Sequence, residues 1–174
     1  LGVLANQVRD DILLQRPDHI ALTGDIVNVA ALGEFAPAGQ WLRSVGDAKL
    51  VTFVPGNHDC YVAVPYALGL SHFEDYMTGD MKLQADLQIC GGTTAFPFVR
   101  LRRNIALIGL STALPQALHR ASGQLGPQQL AALAMLLPAL KAKGYCRVVL
   151  IHHPPLTTQA SQRRGLRDAV ALEK

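Results

Sequence analysis

Three short apolar runs in this chain stop at polar residues, and no other feature limits its fold so tightly. They are HIALTGD (residues 19–25), VTFVPGNHD (51–59) and VVLIHH (148–153). Each is too short for a helix and reads as a buried strand, the second and third being rich in β-branched residues. Pro55 and Gly56 end the second run, and Pro154 and Pro155 forbid continuation of the third. Residues 1–15 place Leu1, Leu4, Val8 and Ile12 on one helical stripe. EFAPAGQWLRSV (34–45) predicts a second helix, with Pro37 tolerated in its first turn. With strands over 19–22 and 49–54, the order is α-β-α-β, which predicts a parallel sheet covered by helices.

The remainder continues this α/β pattern. FPFVRLR (96–102) and IALIGLS (105–111) predict a hairpin turning at Arg103 and Asn104. Pro127 suits a helix start, and Leu130, Leu133, Leu137 and Leu140 follow at helical spacing. A strand over 146–151 and a final helix within LRDAVALEK complete the order. Residues 61–95 lack clear periodicity and predict an excursion over the rim of the sheet, partly helical.

With 174 residues, 49% apolar and 17% charged, the chain has the size and composition of one folded domain, 1–174. Sixteen Lys and Arg against 13 Asp and Glu give a net charge of +3. That balance, with basic clusters only at 100–103 and 163–164, speaks against a nucleic-acid track. The two clusters read as a solvated face or as an anion-attracting rim. Cys60, Cys90 and Cys146 form no CxxC pair, which excludes a zinc knuckle and points to a reducing, cytoplasmic compartment. No stretch is long and apolar enough to span a bilayer, and no signal peptide is apparent. The sequence starts at Leu1 and stops inside a helical pattern, so it reads as incomplete at both ends.

In α/β sheets ligands bind beyond the carboxyl ends of strands. There the three runs would bring together Asp25, Asn57, His58, Asp59, His152 and His153. Carboxylate oxygen, amide oxygen and imidazole nitrogen suit manganese, iron or zinc. Each residue has a plainer reading. Asp25 is a candidate helix or turn cap. Asn57 is a candidate turn residue at left-handed angles. His58 is a candidate surface histidine, with Asp59 beside it as a carboxylate partner. Of the adjacent histidines, His152 is taken as the ligand and His153 as supporting or packing. Gly24 and Gly56 would let the backbone pass close to the metals. His72, in the rim excursion, is a candidate substrate contact. Cys60 is either a stray ligand or a buried thiol. His19 and His119 read as structural, Trp41 and Phe35 as core, and Arg120 as a solvated arginine or a phosphate contact.

The set GD, GNHD and HHPP resembles the calcineurin-like metallophosphoesterases, especially their bacterial cyclic-nucleotide and phosphodiesterase branch. The resemblance covers nearly the whole chain. It implies a sandwich of two central β-sheets flanked by helices, incomplete here at both ends. It also implies two divalent metal ions, with Asp25 bridging them and Asn57 and His152 binding the second. His58 would be no ligand and would act on the phosphate or the leaving alkoxide, with Asp59 orienting it. The implied activity is hydrolysis of a phosphodiester or phosphomonoester, on small soluble substrates, by water activated at the metal pair. The family's D-x-H and G-H-x-H motifs occur nowhere in these 174 residues. Their absence predicts activity in a complete protein and little in these residues alone. The rivals are a nuclease of the same family and a degenerate, metal-free binding or interaction domain. Native metal, substrate and oligomeric state have no readable signal.

Overall fold

The structure, a computed structural model, describes residues 2–80, 96–116, 120–156, 158, 160–161 and 163–173. Residues 81–95 of the expected rim, with Cys90, lie outside the described residues, as do Leu1 and His119. The elements run α1 (Val3–Leu14), β1 (Ile20–Leu22), α2 (Leu32–Val45) and β2 (Val51–Phe53). Three 3-10 turns follow, at His58–Cys60, Tyr66–Leu68 and Leu70–Met77. Then come β3 (Phe98–Arg102), β4 (Ile105–Gly109), α3 (Gly126–Ala142), β5 (Cys146–Leu150) and α4 (Ala169–Leu172).

This is a mixed α/β fold with two small open sheets flanked by helices. β1 and β2 pair in parallel, Ile20 opposite Val51 and Leu22 opposite Phe53. The other sheet has the order β3-β4-β5. β3 and β4 form the expected hairpin, Phe98 opposite Gly109, and β5 lies parallel to β4, Gly109 opposite Leu150. Successive strand residues face opposite ways, and the core divides on that alternation. Phe98, Leu107 and Leu150 pack with β1, β2 and the Phe35–Ala38–Leu42–Val45 stripe of α2. Val99, Ala106 and Ile108 pack with Leu133, Leu136 and Leu140 of α3. The three-stranded sheet thus has the two-stranded sheet on one face and α3 on the other.

Several expectations are corrected here. α2 begins at Leu32, so Pro37 stands in its second turn. The proline falls on the exposed face, where the carbonyl of Gly33, left without its amide partner, meets water. The α1 stripe does not dock along its length: none of the helix is buried, and Leu4 and Val8 are exposed. Ile12 and Leu13 reach the core, and Arg9 bonds Ser44 Oγ at 3.0 Å. The RLRR cluster is not one solvated face. Arg100 is buried on the sheet face shared with Phe98, donating to the carbonyls of Thr78, Ala48, Val51 and Asp75. Among the described residues, no helix is long and apolar enough to cross a membrane. Cys60 and Cys146 are free thiols.

Candidate metal centre

The site is built where the two sheets end side by side. After β1 the backbone turns through Gly24 (φ +103°) and Asp25 (φ +61°), two consecutive residues in the left-handed region. Glycine tolerates this, whereas for aspartate it stores strain that the surroundings must offset. The left-handed residue is Asp25 rather than Asn57, whose φ of −67° and ψ of −32° are right-handed. The two glycines face each other. A Cβ on Gly24 would stand 2.3 Å from Gly56 N, and one on Gly56 would stand 2.2 Å from Asp25 Oδ1. Their smallness lets the loops after β1 and β2 touch, as the sequence suggested.

β5 delivers His152 to the same place. Its Nδ1–H donates to Thr23 O at 2.5 Å, which leaves the lone pair on Nε2. Nε2 lies 3.2 Å from Asn57 Oδ1 and 3.4 Å from Asp25 Oδ2. The other oxygen of Asp25 accepts from His58 N–H at 3.0 Å, so Oδ2 is the atom turned to the histidine. Asn57 is buried, with its Oδ1 placed toward His152 and its Nδ2 without a hydrogen-bond partner among the described residues. With the amide in this orientation three lone-pair atoms meet with no donor among them, whereas the amide turned over would bring its N–H groups to the same point. A cation at that point would satisfy all three lone pairs.

The separations suit a metal. Bonds of roughly 2.0–2.2 Å to nitrogen and oxygen put neighbouring ligand atoms about 2.9–3.5 Å apart in tetrahedral to octahedral geometry. Both observed distances fall inside that window. Three groups of this kind, if all bound one ion, would leave positions open, as catalytic rather than structural centres do. Among the described residues, no group of three or more His, Cys, Asp or Glu is placed to hold a metal ion; this cluster has two of those types and an amide.

His58 is half-buried beside the centre. Its Nδ1–H donates to Asn28 O, and Tyr61 packs edge-on to the ring, centroids 4.7 Å apart. Asp59 does not orient it, contrary to the expectation. The Asp59 carboxylate is buried and takes the backbone N–H of Asp25 (2.8 Å), Ile26 (3.0 Å), Val27 (3.1 Å) and Gly56 (2.8 Å). Burial raises its carboxyl above the ordinary range, and those N–H donors oppose the rise.

His153 turns away from the centre and is buried. Its Nε2–H donates to Ala121 O at 3.0 Å and its Nδ1 accepts from Thr112 Oγ1 at 2.6 Å. Burial, with His152 adding, lowers it to about 4, so the ring is neutral and supporting. Burial, with Asp59 adding, pushes the Cys60 thiol up to about 12, which favours a packed thiol over a ligand. His72, the candidate substrate contact, lies against Gly39 of α2, in a cleft with Arg43, Asp47 and Glu74. Arg120 is exposed. Thr23 and Asn28 act through backbone carbonyls, which side-chain identity does not announce. No family model and no curated protein matches the sequence.

Proposed function

We propose that this chain is a calcineurin-like metallophosphoesterase domain of the cyclic-nucleotide and phosphodiesterase type. On this reading it hydrolyses a small phosphodiester or phosphomonoester. The reading rests on one observation: Asn57 Oδ1 and Asp25 Oδ2 lie 3.2 Å and 3.4 Å from His152 Nε2, separations that ligands of one metal ion have. Two adjoining sheets whose strand ends carry these residues are also what the sandwich of that family requires.

Asp25, Asn57 and His152 are the groups that would hold the ions, and Thr23 O keeps His152 in the tautomer that can do so. When bound, divalent ions supply Lewis acidity, offsetting the charge of the ester and making a water nucleophilic near neutral pH. His58 is held by Asn28 O through Nδ1, and its Nε2 makes no hydrogen bond among the described residues. That atom is the one suited to hydrogen-bond the ester oxygen on which charge develops. Asp59, saturated by backbone donors, has no part in proton transfer to His58.

The test uses the protein from its whole reading frame, supplied with Mn2+ and bis(p-nitrophenyl) phosphate. Hydrolysis is expected, with His58→Ala lowering turnover about 10²–10⁴-fold at unchanged metal content. Metal-loaded protein that hydrolyses neither this diester nor p-nitrophenyl phosphate would refute the reading. The rival with an observation behind it is a metal-free binding domain, because the Asn57 amide turned over would donate from its unpartnered Nδ2 to His152 Nε2 without any metal. Failure to take up any divalent ion would favour that rival.

A further inference from the structure

We infer that Asp59 is a positioning residue, the common anchor that sets Asp25 and Asn57 at metal-ligand spacing; the metal half of this statement rests on the function proposed above. A carboxylate has about four lone-pair sites, and all four are used. Oδ2 accepts from Asp25 N and Gly56 N, and Oδ1 accepts from Ile26 N and Val27 N. Three of these donors belong to the loop after β1 and the fourth to the loop after β2. One buried side chain therefore ties together the two loops that carry Asp25 and Asn57. The tie is reciprocal, since the carboxylate of Asp25 accepts from the backbone of His58, on the Asn57–Asp59 turn. It also accounts for the left-handed backbone at Asp25: the N–H groups of residues 25–27 converge on the anion only when the chain turns there.

Among the described residues no other acceptor reaches these four donors. The donors are backbone N–H groups, and Asp59 is 2% exposed, so water does not replace it. An isosteric amide would offer one oxygen to two of the four donors and turn an NH2 group toward the other two. Asp59→Asn is therefore expected to loosen both loops together and to blur the spacing of the ligands without removing any ligand.

Two measurements test this on the full chain. The first is backbone amide exchange in metal-free protein. In the wild type the amides of Asp25, Ile26, Val27 and Gly56 should be protected. In Asp59→Asn all four should exchange about tenfold faster or more, while Val99 and Leu107 in the β3–β4 hairpin keep their rates. The second is Mn2+ titration, where Asp59→Asn should bind about 10–100-fold more weakly than wild type. Unprotected amides at the four positions of the wild type would overturn the anchor outright, even if the variant failed to fold. So would a folded variant with unchanged protection or unchanged Mn2+ affinity. A wild type with four protected amides and no Mn2+ uptake would sink the metal reading alone, and the anchor would stand.

Discussion

In the two-stranded sheet the loops that carry the site close on a buried anion, whereas the loop at the end of β5 closes on a buried neutral ring. Asp59 and His153 are both 2% exposed. Asp59 accepts four backbone N–H bonds and donates none. His153 gives one bond, to Ala121 O, and accepts one, from Thr112 Oγ1. Burial disfavours the charged form in both, but only Asp59 is surrounded by donors that make its charge tolerable. The difference teaches what each loop can tolerate. Donors gathered around an anion have no other partner, while a matched donor and acceptor can be satisfied by any neutral group with the same pair.

The sharpest way to break this contrast is to give both positions an amide. Asp59→Asn turns NH2 toward two buried N–H groups, each costing about 1–3 kcal/mol when left unpaired, so a loss of about 4 kcal/mol is expected. His153→Gln keeps one donor for Ala121 O and one acceptor for Thr112 Oγ1, and a loss of about 1 kcal/mol is expected. Urea denaturation of the two variants checks the order. Equal losses would mean that the two anchors do not differ in kind.

Next in size is Gly56→Ala. The new Cβ would stand 2.2 Å from Asp25 Oδ1 and 2.7 Å from His152 Cε1, so a carboxylate and a ring that share the site must both move. Overpacking of this kind costs about 1–3 kcal/mol, and here it also displaces two candidate ligands. Gly33→Ala is the control, because its Cβ would meet nothing within 4 Å. Its stability should stay the same or rise by about 0.5 kcal/mol, since Gly33 lies inside α2. Thermal melts and Mn2+ titration of both variants separate packing at the site from a general effect of losing a glycine.

Much of this arrangement was legible in the sequence because strand ends are a local signal. A run such as VTFV followed by PG says where the strand stops, and the GNHD after it says what is presented there. Meeting of the three ends followed from the α/β order. What escaped was the choice of partners. Asp59 looked like a partner for His58 because the two are adjacent, yet its carboxylate reaches 32 to 34 residues back, to Val27, Ile26 and Asp25. Arg100 looked like part of a charged cluster. Alternation along β3 puts it on the face of Phe98, and only the packing of one sheet on the other supplies the carbonyls that make burial possible. The apolar stripe of α1 gave a sound helix but contact only at Ile12, with Leu4 and Val8 exposed, since periodicity reports a face and not what lies opposite it.

The smallest expected effect extends the contrast to a third, partly buried group away from the site. His19 donates from Nε2 to Thr52 Oγ1 at 2.7 Å and accepts at Nδ1 from Arg102 Nε at 3.2 Å. Burial, with Arg102 and then Arg100 adding, lowers it from 6.5 to about 4. Like His153 it is a neutral ring with one donor and one acceptor matched. Because the folded value lies below the unfolded one, the unfolded chain binds the proton more readily between them. The stability His19 contributes is therefore complete above about pH 6.5 and is lost as the pH falls from there through about 4. The ring is only partly buried, so the loss by pH 5 should be about 1 kcal/mol after allowance for solvent screening. His19→Gln keeps the donor and acceptor and removes the titration. Its unfolding free energy should fall less steeply than that of wild type between pH 6.5 and 5, with His153 supplying much of the remaining slope. Parallel profiles for the two proteins would show that the Arg102 contact does not hold His19 neutral.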